Sequence, residues 1–299
     1  MGARQEAVVT EMLQAWTQPD APDRVVAAFA PEGSWNLRMP DAPTLTDREQ
    51  LREQVARRLD GVTSHEVAVL MVASSEDLVI LERRHTYTVG GRQVEQLVGG
   101  VFELDADDRI VAWRDYFDAK DLAAQTGADP AATDVAGSGP TAVPEAARTG
   151  VDVALQPAAT PEEKSVDDFC ALWGDGTLEA KPQVDRIVAR MAPDAAWKLW
   201  VPGGPTVTGR EALADEIRRQ MQYATHNRCH TVRAVSTPSV VMQERSDYAF
   251  MLGRDCPHQM VAVYELDEQG LIVRWREYIN MADLDRKRGA PAATAHLDA

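Results

Sequence analysis

The chain repeats itself. Trp113-Arg114-Asp115-Tyr116-Phe117 returns as Trp275-Arg276-Glu277-Tyr278-Ile279, a displacement of 275 − 113 = 162 residues. The same displacement carries Arg83 onto Arg245, Asp23-Arg24-Val25-Val26 onto Asp185-Arg186-Ile187-Val188, and Pro40 through Thr46 onto Pro202 through Thr208. One gapless offset from about residue 23 to about residue 122 marks a duplicated module. Each copy must therefore be a fold that about 125 residues can close around a core of its own, hiding about two-thirds of the unfolded surface. The expected division is a first module at 1–125, a flexible linker at 126–161, a second module at 162–288 and a tail at 289–299. The linker is rich in Ala, Gly, Pro and Thr and has no aromatic side chain, so it buries too little to offset its ordering entropy.

Charge narrows the partners. A net charge of −16 repels nucleic acid and anionic membrane surfaces. No apolar run approaches the ~20 residues of a membrane span, and Met1 to Gln14 lacks the apolar stretch of a signal peptide. The three cysteines, Cys170, Cys229 and Cys256, form no CxxC pair and fit a reducing cytoplasm. Cys229-His230 and Cys256-Pro257-His258 lack metal-ligand spacings and have no counterpart in the first copy, so neither a metal nor a cofactor is expected.

Each copy shows one order of elements. An amphipathic helix comes first, with Val8, Met12, Leu13 and Trp16 or Val166, Phe169 and Trp173 at helical spacing. A short helix follows at Arg24–Phe29 or Arg186–Met191, closed by Pro31 or Pro193. A strand then carries Trp35 or Trp197, and both indoles are expected in the core. Thr46 and Glu49 read as a capping box for the next helix. Four strands complete the first module at about 65–73, 77–89, 93–104 and 109–118, with equivalents 162 residues on. Helices followed by an antiparallel run make an α+β fold. A strongly curved mixed or antiparallel sheet wrapped around N-terminal helices leaves a conical cavity, the nuclear-transport-factor-2-like plan, in two tandem modules. By fold analogy the modules pair into a dimer within one chain, and a homodimer is a further possibility.

Residues two apart on a strand share a face. Arg83 therefore faces with His85, Arg245 with Asp247, Trp113 with Asp115, and Trp275 with Glu277. The neighbours on that face are apolar or aromatic, Tyr87 among them, so the charges are expected to meet one another. An arginine between Asp247 and Glu277 could bridge both through its planar fork. Two carboxylates beside one guanidinium separate in proton affinity, which supplies an acid and a base at one place. Trp113 and Trp275 read as pocket walls.

These residues resemble those of the limonene-1,2-epoxide hydrolases. That family carries Glu-Arg-x-Asp on one strand, as in Glu244-Arg245-Ser246-Asp247, and Trp-Arg-Asp-Tyr-Phe-Asp on the last, as in Trp113 through Asp118. The resemblance implies that Asp247 is the acid, Arg245 the bridge and Glu277 the base of the second module, with Arg83 and Asp115 as bridge and base of the first. The first copy departs from the pattern. His85 stands at its acid position, either as a protonated donor or as a satisfied pocket residue of a degenerate site. The family's water-holding pair matches Asn36 and Arg38 in the first copy, Lys198 and Trp200 in the second, and neither is the family's pair.

The expected function is cofactor-free acid–base opening of an epoxide on an apolar, natural-product-like substrate. The nucleophile is water, as in a hydrolase, or an internal hydroxyl, as in the related tandem cyclases of polyether biosynthesis. Two other readings stay open. A polyketide-cyclase or ketosteroid-isomerase-like enzyme needs a base and an oxyanion donor but no bridged carboxylate pair. A carrier of an apolar metabolite needs only the cones.

Overall fold

The computed structural model describes residues 2–37, 42–127 and 155–289. The chain divides into two compact units, Met1–Ser138 and Gly139–Ala299. Most of the expected linker and nearly all of the tail lie outside the described residues, as does Arg38.

In the first unit, α1 (Ala3–Ala15), α2 (Ala21–Ala27) and α3 (Arg48–Leu59) accompany β1 (Phe29–Asn36), β2 (Thr44–Leu45), β3 (Val62–Ser74), β4 (Leu78–Val89), β5 (Arg92–Leu104) and β6 (Ile110–Tyr116), followed by α4 (Ala119–Thr126). The six strands form one sheet in the order β2-β1-β6-β5-β4-β3. The β1–β6 pair is parallel and the other neighbours are antiparallel. Val9, Met12 and Leu13 of α1, Val25 and Val26 of α2, and Leu51 and Val55 of α3 pack against Val79, Leu81, Phe102 and Trp113 of the sheet. The fold is α+β, and the mixed sheet closes over the helices as a cone.

The second unit repeats the plan with α5 (Pro161–Cys170), a 3₁₀ turn (Ala171–Trp173), α6 (Val184–Ala189), β7 (Met191–Lys198), β8 (Thr206–Thr208), α7 (Arg210–Gln220), β9 (Ala224–Thr237), β10 (Val240–Met251), β11 (Arg254–Leu266), β12 (Ile272–Ile279) and α8 (Met281–Arg288). Its sheet order is β8-β7-β12-β11-β10-β9. Strand starts 62, 78, 92 and 110 recur at 224, 240, 254 and 272, each displaced by the same 162 residues.

Three local expectations are corrected. Pro31 and Pro193 do not close the short helices; they lie inside β1 and β7. The ladder register breaks between Phe29 and Ser34, and between the equivalent positions of β7, so no paired N–H is required of a proline there. The cap of α3 is Asp47, whose carboxylate accepts from the Glu49 and Gln50 amides, and Thr46 forms no capping box. Its counterpart helix α7 starts at Gly209 with no side-chain cap. The third correction is an extra helix after each last strand. Asp118 and Asn280 cap α4 and α8 through the Lys120 and Ala282 amides, and Gly127 and Gly289 end them at positive φ (71° and 73°).

The cap assignment predicts that Asp47→Ala lowers the unfolding free energy by about 1 kcal/mol, whereas Thr46→Ala changes it by less than about 0.5 kcal/mol. Urea denaturation followed by circular dichroism measures both.

Candidate active site

In the first module Arg83 and His85 stand on β4 and Asp115 on β6, with β5 between them. Gly100 of β5 faces Asp115 on one side and Leu81 on the other. A Cβ on Gly100 would lie 2.5 Å from Arg83 Nη1, so the bare backbone lets the arginine cross β5. Arg83 Nη2 donates to Asp115 Oδ2 at 2.7 Å, and Arg83 Nε donates to His85 Nε2 at 2.8 Å. The second Asp115 oxygen accepts from Trp113 Nε1 at 2.7 Å. Trp113 therefore holds the carboxylate as well as walling the pocket. Arg83 also lies over the Trp113 ring, 5.5 Å from its centroid.

His85 is neutral here. Burial is the main cause that pushes its pKa well below the usual value, and the Arg83 charge adds to it. Its Nε2 accepts from Arg83, so its proton belongs on Nδ1, which lies 3.0 Å from His65 Nε2. Both ring nitrogens are thus engaged, and a protonated donor at His85 is disfavoured by burial and by Arg83 together. His65 was not apparent in the sequence. It sits on β3 opposite Tyr87 and stacks on His85.

The second module holds the fuller constellation. Arg245 Nη2 lies 2.6 Å from Asp247 Oδ2 and 2.7 Å from Glu277 Oε1, and Arg245 Nε adds a 3.1 Å bond to Asp247. Arg245 Nη1 donates to the Tyr264 hydroxyl. All four side chains are buried. Burial works against the Arg245 charge, but Asp247, Tyr264 and Glu277 outweigh it and hold the guanidinium charged. Burial pushes Glu277 up to about 7, with Arg245 opposing the shift and the Asp247 charge adding to it. The first module has Phe102 where the second has Tyr264, and Arg83 Nη1 has no hydrogen-bond partner among the described residues.

Cavities surround both sites. The first encloses about 550 Å³ and is lined by Trp16, Trp35, Leu37, His65, Arg83, His85, Tyr87, Trp113 and Asp115, among others. The second, of about 700 Å³, reaches Trp197, Leu199, Trp200, His258, Met260 and Glu277. A recess of about 90 Å³ shares Trp197, His258 and Glu277 with it and adds Arg245, Asp247, Cys229 and Trp275. Burial pushes the Cys229 thiol well up, so it stays protonated. Among the described residues no three His, Cys, Asp or Glu side chains are grouped to hold a metal.

The first-strand residues need correction. Trp35 stacks on Trp113 at 4.3 Å and Trp197 on Trp275 at 4.2 Å, which turns Trp35, Leu37, Trp197 and Leu199 toward the cavities. Strand alternation then turns Asn36 and Lys198 away. Asn36 donates to Ala42 O at 2.9 Å and Lys198 to Gly204 O, so both brace the turn that follows. Trp200 lies beyond the end of β7, escapes the alternation and does line the cavity.

The Glu277 shift carries a stability prediction. Its folded pKa of about 7 lies above the ordinary value of 4.5, so the folded state binds the extra proton between those values. The stabilisation is full below about 4.5 and is lost as pH rises through about 7. Wild type should lose about 1–3 kcal/mol across that window relative to Glu277→Gln. Urea titrations of both proteins at several pH values test this; parallel curves would contradict it.

Parts of the chain are similar to known proteins. Residues 4–127 match the family model described as limonene-1,2-epoxide hydrolase catalytic domain. A stretch of 66 residues is 39% identical to the epoxide hydrolase EphG of Mycobacterium tuberculosis, covering 22% of this chain and 44% of that protein. The chain thus spans less than half the length of the curated relative it matches. Among solved structures it is similar to a Catenulispora acidiphila protein with a ketosteroid-isomerase-like fold, at 22% identity over 42% of this chain and 97% of the other, with a TM-score of 0.38. It is also similar to an M. tuberculosis LEH-like epoxide hydrolase, at 29% identity over 39% of this chain and 84% of the other, with a TM-score of 0.34. Residues 4–127 are thus similar to the limonene-1,2-epoxide hydrolase catalytic domain, and the second module repeats the first module's order of strands.

Proposed function

We propose that the second module opens an epoxide by concerted acid–base catalysis at Asp247, Arg245 and Glu277. One observation carries the reading: a single buried guanidinium nitrogen lies 2.6 and 2.7 Å from two carboxylates. With one proton on the pair, the trio is electrically neutral and holds an acid beside a base.

The resemblance gives the acid to Asp247 and the base to Glu277. The site's own features favour the reverse. Asp247 accepts from both Nε and Nη2 of Arg245 and is the better-held anion, whereas Glu277 is the carboxyl raised to about 7. Glu277 also borders the large cavity, where a substrate skeleton fits, and Asp247 borders only the small recess. Glu277 then protonates the epoxide oxygen as the C–O bond breaks. Asp247 takes the proton of the attacking O–H, and a later exchange returns the proton to Glu277.

Water is the favoured nucleophile. A recess of about 90 Å³ beside Asp247 has room for water, which occupies about 30 Å³ per molecule in the liquid. Closure by an internal hydroxyl is the second reading, favoured by Leu199 and Trp200 on the large cavity, neither of which suits the holding of a water. The apolar lining, with Leu199, Trp200, Met251, Ile279 and Leu284, supports an apolar substrate. The −16 charge and the absence of a membrane-crossing helix among the described residues agree with a small-molecule partner.

Turnover of an epoxide panel in ¹⁸O-labelled water tests the reading. Label in the product identifies water, and an unlabelled cyclic ether identifies the internal hydroxyl. Asp247→Asn and Glu277→Gln should each lower kcat/KM by about 10²–10⁴. The wild-type rate should fall above about pH 7, where Glu277 loses its proton, and Glu277→Gln should abolish that limb. Full activity in either variant would remove the pair from the chemistry.

A further inference from the structure

On the reading that Arg245, Asp247 and Glu277 carry the chemistry, we propose that Asp167 is a positioning residue for the same reaction. It aims Arg245 through a string of hydrogen bonds that runs by way of Gln243, Cys170 and Tyr264.

The string crosses from helix to sheet. Asp167 and Cys170 stand on α5, Gln243 and Arg245 on β10, and Tyr264 on β11. Gln243 Nε2 donates to Asp167 Oδ1 at 2.9 Å, and Thr231 Oγ1 of β9 donates to the same oxygen at 2.7 Å. A carboxylate only accepts, so Gln243 turns its NH2 toward Asp167 and its oxygen toward Cys170. Burial pushes the Cys170 thiol up to about 11, so it keeps its proton and donates it to Gln243 Oε1 at 3.6 Å. The Tyr264 hydroxyl accepts from Arg245 Nη1 and lies 3.7 Å from the same sulfur, so its own proton points at Cys170. Each hydrogen in the string is thereby fixed, and each points away from Arg245 toward Asp167.

That direction matters at Arg245. Nη1 can only donate, so Tyr264 must present a lone pair to it; a hydroxyl turned the other way would set donor against donor. With Nη1 held, Nη2 stays between Asp247 and Glu277 at 2.6 and 2.7 Å. The Gln243 amide interrupts any passage of protons, so the string transmits orientation and polarisation. Asp167, Cys170, Gln243 and Tyr264 line neither the large cavity nor the recess, so they act through Arg245 and not on a substrate.

Asp167 is kept against a cost. Burial raises its pKa, and the Thr231 and Gln243 bonds oppose the rise. The first module does without the string: Val69, Leu81 and Phe102 stand where the second has Thr231, Gln243 and Tyr264. There Arg83 Nη1 has no hydrogen-bond partner among the described residues. Three concerted polar positions thus accompany the carboxyl pair and are apolar in the copy that has His85.

Nitrogen-15 NMR of the full chain, with the Arg245 signals assigned by Arg245→Lys, tests the string without any substrate. The Arg245 Nη1 protons should exchange slowly with water in the wild type and at least about tenfold faster in Asp167→Ala and in Tyr264→Phe. Asp167→Asn keeps an accepting oxygen and should exchange as the wild type does. Steady-state kinetics on an epoxide reads the function. Asp167→Ala should lower kcat about tenfold with KM unchanged, and Asp167→Asn should restore it. In a Tyr264→Phe background Asp167→Ala should cost nothing further, because the string is already cut. Phe102 at the equivalent place shows that the fold accommodates Tyr264→Phe, and circular dichroism checks the folding of each variant. Additive losses, equal losses in Asp167→Asn and Asp167→Ala, or Nη1 exchange indifferent to Asp167 would overturn the proposal. The expected exchange pattern in a wild type that turns over no epoxide would overturn the epoxide reading alone.

Discussion

A guanidinium buried in an apolar cone must be neutralised, and the rest of each module is arranged around that requirement. An isolated buried charge costs far more than the few kcal/mol by which a domain is stable. Both modules set the cation against an anion and one further polar group. In the first the set is Arg83, Asp115 and a neutral His85. In the second it is Arg245 between Asp247 and Glu277, whose carboxyl burial pushes up to about 7. The net charge is zero in the first, and in the second it is zero below about pH 7, where Glu277 holds its proton; in the proposed mechanism only the carboxyl pair offers an acid next to a base. Thus a substitution that preserves the electrostatics of folding alters the chemistry available.

The scaffold places these groups by strand register. Parallel pairing of β1 with β6 and of β7 with β12 brings Trp35 against Trp113 and Trp197 against Trp275. The stacked indoles form the platform over which each arginine lies. Shells around the arginines then diverge. Where the first module has Leu81 and Phe102, the second has Gln243, which donates to Asp167 at 2.9 Å, and Tyr264, which supports Arg245. The more polar shell accompanies the site with the ionisable pair, as a more demanding electrostatic balance requires.

Period-two alternation made the trio legible in the sequence, since Arg83 with His85 and Arg245 with Asp247 share a face whatever the sheet order. The repeat made it credible, and the strand boundaries followed from the same alternation. The resemblance misled on the first strand of each module, whose phase is set by the Trp35–Trp113 and Trp197–Trp275 stacks between strands far apart in sequence. Asn36 and Lys198 therefore face away from the cavities. Asp47 outcompeted Thr46 as a cap because a carboxylate accepts two amide protons at a helix start more strongly than a hydroxyl. His65 was invisible for another reason. It reaches His85 diagonally across β3–β4, next to a register shift between Val62 and Ser64 that no local pattern announces.

Direct observation of the shared proton tests the central claim most sharply. In ¹³C NMR of protein labelled at the Asp and Glu side-chain carboxyls, assigned with Asp247→Asn and Glu277→Gln, a pH titration reports each group's state. The account predicts a Glu277 carboxyl that titrates near 7, with the Asp247 signal responding in the same step. A Glu277 that is ionised throughout the neutral range, and an Asp247 signal indifferent to it, would contradict the account.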